Sequence, residues 1–138
     1  MKNSNIERFV TAQNPVFEQV IEEIIKGHKS GHWMWFVFPQ IKGLGKSPIS
    51  KEYGLEGVEE ARAFFEHPVL GKRLVQLLEL LLEHSNKSIL IILGFPDNLK
   101  LKSSLTIFEV ATAERIFTEV LEIFYNGERC QLTLAKIE

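Results

Sequence analysis

The residues able to do chemistry in this chain gather in two stretches. The first is His32-Trp33-Met34-Trp35-Phe36-Val37-Phe38-Pro39-Gln40, which places both tryptophans between a histidine and a glutamine. An indole can stack on a planar ligand while its N–H holds a polar atom, and His32 and Gln40 could supply further hydrogen bonds. A histidine side chain can give or take a proton, so His32 is also a candidate acid or base. The plainer reading competes at every position. Dense aromatics are mostly core, and a single histidine beside apolar residues is more often structural.

A glycine- and lysine-rich connection follows directly. Gly45-Lys46-Ser47 ends like a nucleotide-binding P-loop, but position 40 is Gln where the pattern needs glycine, and Pro48 follows the serine. An NTP-hydrolysing P-loop is excluded. A weaker possibility survives. Backbone N–H groups at Gly43 and Gly45 can form an anion cradle beside Lys42, Lys46 and Ser47. A solvated basic loop is the alternative.

The second stretch is Asp97-Asn98-Leu99-Lys100-Leu101-Lys102-Ser103-Ser104-Leu105-Thr106. Asp97 after Pro96 reads as a helix cap. Lys100, Ser103 and Ser104 share one helical face, with Thr106 close by. Ammonium and hydroxyl groups together suit a polar ligand or water better than a core. If the protein is an enzyme, His32 or Asp97 is the acid or base and Lys100 the charge stabiliser. The two stretches lie about sixty residues apart, and the expectation is that they meet in space.

Other chemistries lack their residues. No His-x-x-x-His or His-x-Glu pair offers a metal site, and no Gly-x-Ser-x-Gly elbow is present. Glu22/Glu23 and Glu59/Glu60 read as solvent-facing acids on helices. Cys130 is the one cysteine, which rules out an intramolecular disulfide and a paired-thiolate site. No metal and no cofactor is expected.

These residues must be positioned by a chain of 138, long enough for one domain with a substantial core. Sixteen Lys/Arg against eighteen Asp/Glu give −2, so no global charge favours nucleic acid or anionic lipid. No signal-like apolar start or membrane-length run is present, and a cytoplasmic setting is expected. Ile6, Phe9 and Val10 fit a short helix ending near Gln13. Asn14-Pro15 reads as the cap of a second helix that Gly27 closes. Residues 58–66, 69–84, 112–125 and 131–137 also read as helices. The broad apolar stripe of Val69–His84 makes it the expected central helix. The runs 33–38 and 89–93 favour strand by propensity, but few partner strands exist.

The whole resembles a known family. Arg8-Phe9-Val10-x-Ala12-Gln13, the His32–Gln40 stretch, Gly43-Leu44-Gly45-x-Ser47 and Tyr53-Gly54 carry the likeness. So do Glu60-Ala61, His67-Pro68-Val69-Leu70-Gly71-x-Arg73-Leu74, and Asp97-x-x-Lys100-Leu101-x-Ser103-Ser104-x-Thr106-x-Phe108. They are similar to the bacterial domain-of-unknown-function family 1810, some members of which are labelled calpastatin. That label fits poorly, because calpastatin is disordered and this composition is compact. The resemblance implies one all-α domain, which turns both strand-like runs into helices, and the expectation is a single domain over 1–138 of about six to eight helices. It implies no established reaction. Two positions depart from the pattern. Gly57 and Cys130 stand where the family has a serine-like residue and an aspartate, weakening two helix caps.

Two functional expectations follow. One is a small anionic or nucleotide-like ligand bound between the two stretches. The other is a protein-interaction module that uses an aromatic patch with Trp33 or Trp35 exposed.

Overall fold

The computed structural model describes residues 5–137, and its named elements are all helices. They are α1 (Glu7–Gln13), α2 (Phe17–Lys26), α3 (Met34–Val37), α4 (Pro48–Glu52) and α5 (Val58–Glu66). There follow α6 (Leu70–Leu82), α7 (Ile89–Leu93), α8 (Asp97–Thr112), α9 (Arg115–Tyr125) and α10 (Gln131–Ile137). The all-α expectation holds, but the described residues form ten helices rather than six to eight. The surplus has a physical origin. α3, α4 and α7 are about one turn long, too short to display a 3.6-residue repeat. No helix among the described residues is long and apolar enough to cross a membrane.

Residues 34–37 are apolar enough for a strand, yet they turn. Val37 and Phe38 N–H bond the carbonyls of Trp33 and Met34 at 3.2 and 3.0 Å. The turn is also held from outside, because the Gln13 side-chain amide donates to the Phe36 carbonyl at 2.8 Å. Gln13 is buried, and its Oε1 accepts from Arg73 at 3.3 Å, so one amide ties α1, α3 and α6. α7 starts where Ser88 Oγ accepts the Leu90 N–H at 3.1 Å.

Several boundary expectations change. Asn14 does not cap α2. It closes α1, its N–H bonding the Val10 carbonyl, while its side chain accepts from Arg73 at 2.8 Å. Asp97 makes no capping bond to α8. His67 does cap α6: its Nδ1 accepts from the Val69 and Leu70 N–H groups at 3.1 and 3.4 Å, so the Nε2 facing Glu7 at 2.7 Å carries the proton. α9 starts at Arg115 rather than Thr112, because Ala113 turns left-handed at φ 58°. At both weak caps the chain is fastened just ahead of the helix, while no side chain caps α5. Glu60 accepts the Glu56 N–H at 2.9 Å ahead of α5, and Thr106 Oγ1 accepts the Cys130 N–H at 2.9 Å ahead of α10.

The centre is α8 rather than α6. α8 packs against α3, α5, α7, α9 and α10, whereas α6 meets α2, α5 and α9. A row of rings runs through this core, Phe9 to Phe64 at 5.0 Å, Phe64 to Phe108 at 5.3 Å, and Phe108 to Phe117 at 5.4 Å. Residues Ser103 to Phe108 of α8 are all buried, so this helix lacks a single apolar stripe. Periodicity favours α6 for that reason.

Candidate functional site

The two tryptophans do different jobs. Trp33 is 1% exposed, and its indole Nε1–H donates to Glu23 Oε1 at 2.9 Å. The same oxygen accepts the Ser30 and Gly31 N–H groups at 2.8 and 2.9 Å, and Oε2 accepts from Gln19 at 2.7 Å. Burial alone would raise the Glu23 pKa. The donors from Gly31, Gln19, Ser30 and Trp33 outweigh it and hold the carboxyl down at about 2. Glu23 is therefore an anion that fastens the loop into the Trp33 run. The expectation that Glu22/Glu23 and Glu59/Glu60 all face solvent fails for Glu23 and Glu60, which are 7% and 6% exposed. Glu23 is enclosed by Gln19 of its own helix and by the loop that follows it, whereas Glu60 is met by the distant Arg8 at 3.0 Å.

Trp35 is half-buried, and here the two stretches meet. The Lys100 ammonium lies 3.7 Å from the Trp35 ring centroid, a close cation–π contact. Asp97 stands between two lysines, with Oδ2 at 2.7 Å from Lys29 Nζ and Oδ1 at 3.2 Å from Lys100 Nζ. Lys29 also sits 5.1 Å from the Trp33 ring and donates to the Gly31 carbonyl. Sequence reasoning missed Lys29. Its only signal was its place in the polar break before the tryptophans.

The remaining predicted residues scatter. His32 and Lys46 are exposed, and Gln40 is half-buried with its carbonyl accepting the Leu55 N–H at 2.8 Å. Gly45 approaches the rim of Trp35: a Cβ built there would lie 3.6 Å from Trp35 Cη2. Ser47 caps α4, its Oγ accepting the Ser50 N–H at 3.3 Å. Lys42 pairs with Glu56 at 2.7 Å on the surface, and Gly43 turns at φ +101° beside the Lys136 ammonium. Thus Lys42 and Gly43 contribute elsewhere.

The hydroxyl face of α8 is a correction. Ser103, Ser104 and Thr106 are 2%, 1% and 0% exposed, facing neither water nor an open site. α10 covers this helix, and Ser103 Oγ meets Thr133 Oγ1 at 2.7 Å. Thr106 Oγ1 donates to the Lys102 carbonyl at 2.8 Å while accepting the Cys130 N–H. Thr106→Val should keep the shape but strip both bonds, lowering stability by about 1–2 kcal/mol in urea unfolding.

A cleft of about 980 Å³ opens at another place, where α4, α5, the end of α10 and the segment around Ile41 converge. Of the candidate site residues read from the sequence, Lys42 lines it, together with Lys51, Lys136 and Glu59. No group of three His, Cys, Asp or Glu residues able to hold a metal occurs among the described residues.

An all-helical protein with this pair of adjoining motifs matches a defined class. The chain belongs to the family described as "Protein of unknown function (DUF1810)", whose model matches residues 3–137. It is similar to the conserved hypothetical protein Rv1873 from Mycobacterium tuberculosis, known from a crystal structure. The two share 46% identity over 96% of each chain, with a TM-score of 0.94. No curated protein matches the chain.

Proposed function

We propose that this protein binds a small anionic, nucleotide-like ligand where its two motifs adjoin. One observation carries the reading, the Lys100 ammonium held 3.7 Å from the Trp35 ring centroid. A half-buried indole offers a stacking surface, and an ammonium fixed beside it offers charge at a defined point. Lys29, Asp97 and Lys100 together carry one surplus positive charge, which an entering anion neutralises. His32, Gln40 and Lys46 are the polar groups proposed to complete recognition. The setting proposed is cytoplasmic.

A thermal-shift screen against nucleotides and sugar phosphates tests this. A ligand at about a hundred times its Kd adds roughly 2.7 kcal/mol of stability. The melting point should rise for the native protein and not for Lys100→Ala or Trp35→Ala. Equal shifts in all three proteins count against the site.

A second reading, a protein-interaction surface, has its own observation. Leu90, Ile91, Phe95 and Leu99 are all exposed, Phe95 at 73%, on the segment whose Ile92 carbonyl accepts the Lys29 N–H at 2.7 Å. The surface proposed under this reading is α7 and the start of α8. Trp33, by contrast, is buried. A flat ligand screen together with concentration-dependent association would favour it.

A further inference from the structure

We infer that the cleft between α4, α5 and α10 is a second, separate binding site, and that its ligand is dipolar: a short peptide with free ends.

The size fits first. At about 980 Å³ the cleft lies at the upper end of small-ligand pockets, more room than one amino acid needs. Its apolar surface comes from Ile41, Val58, Ala63 and Ile137, a floor suited to aliphatic side chains.

The charges then decide the class. Four cationic side chains (Arg8, Lys42, Lys51, Lys136) and four carboxylates (Glu52, Glu56, Glu59, Glu60) line the cleft, so their formal sum is zero. Two of each sign already build the wall. Arg8 pairs with Glu60 at 3.0 Å and also donates to the Glu52 and Gly54 carbonyls, and Lys42 pairs with Glu56 at 2.7 Å. Lys51 and Lys136 have no carboxylate at ion-pair distance among the described residues, and the side chains of Glu52 and Glu59 have no cation. These groups come from three elements, α4 (Lys51, Glu52), α5 (Glu59) and α10 (Lys136). A purely anionic ligand would meet four carboxylates, and a purely cationic one four cations. A molecule with a carboxylate at one end, an ammonium at the other and a short apolar body satisfies both unpaired sets. The free termini of a peptide supply that pattern.

Isothermal titration calorimetry with trialanine and trileucine tests it, each in free, N-acetylated and C-amidated form. At least one free peptide should bind, and each block should weaken it about tenfold. Lys136→Ala and Glu59→Ala remove exposed charges outside the core, and each should weaken binding about fivefold or more. Lys100→Ala should leave it unchanged, which separates this site from that of Trp35. No binding of either free peptide at millimolar concentration overturns the inference. So does equal binding of blocked and free forms, or loss of binding in Lys100→Ala alone.

Discussion

Replacing Glu23 by alanine should destabilise the protein by about 4 kcal/mol, lowering the melting temperature by roughly 15 °C. The change removes one carboxylate and strands the Trp33 indole N–H together with the Ser30 and Gly31 amides. Glu23→Gln keeps an acceptor but loses the charge, so it isolates the ionic part. The folded pKa is about 2 against an ordinary 4.5, a depressed acid. Its contribution is therefore complete above about pH 4.5 and fades as the pH falls through 2. That shift corresponds to about 3 kcal/mol, the expected cost of Glu23→Gln at neutral pH. The gap between native and variant stability should close on acidification. Urea unfolding at pH 7 and at pH 3 measures both values, and a gap unchanged between them contradicts an ionised Glu23.

Gly71→Ala should be comparably harmful, at about 3 kcal/mol or more. A Cβ at position 71 would sit 2.0 Å from the Phe65 carbonyl oxygen. That neighbour is backbone at the end of α5 and cannot swing aside, so α5 and α6 would have to separate. Alanine ordinarily improves a helix by about 1 kcal/mol over glycine, so the sign of the effect is diagnostic. Gly57→Ala provides the contrast. A Cβ there meets nothing within 4 Å, and its stability should change by less than about 0.5 kcal/mol. Equilibrium unfolding of the two variants side by side gives both numbers.

How much of this was legible depends on where each partner lies in the sequence. α2, α5, α6 and α9 show their apolar faces directly, since periodicity is local information. The turn at 34–37 shows nothing local. Its apolar run is as good a strand, and what decides for helix includes an amide from Gln13 and the absence of a neighbouring strand among the described residues. The polar face of α8 misleads for the same reason. Ser103 and Thr106 look solvent-facing until α10 supplies Thr133 and the Cys130 N–H as partners. Glu23 likewise looks like one of a solvated pair, because the loop that wraps it lies beyond the end of its own helix.

At the candidate site the same rule applies. The reading that two distant stretches adjoin is met at Trp35 and Lys100, whereas Trp33 and the α8 hydroxyl residues are buried. Lys29, two residues ahead of Gly31, joins the cluster through Asp97, a partnership no spacing rule encodes. The expected basic loop divides. Gly45 borders Trp35, and Lys42 turns toward the second cleft.

The two indole N–H groups offer the most direct test of the proposed ligand site. In a proton–nitrogen correlation spectrum each tryptophan gives its own side-chain signal, assigned with Trp33→Phe and Trp35→Phe. On titration with a nucleotide that raises the melting temperature, the Trp35 signal should move progressively. The Trp33 signal, fixed on Glu23 at 2.9 Å, should stay in place. A stabilising ligand that leaves the Trp35 signal unmoved would contradict the account.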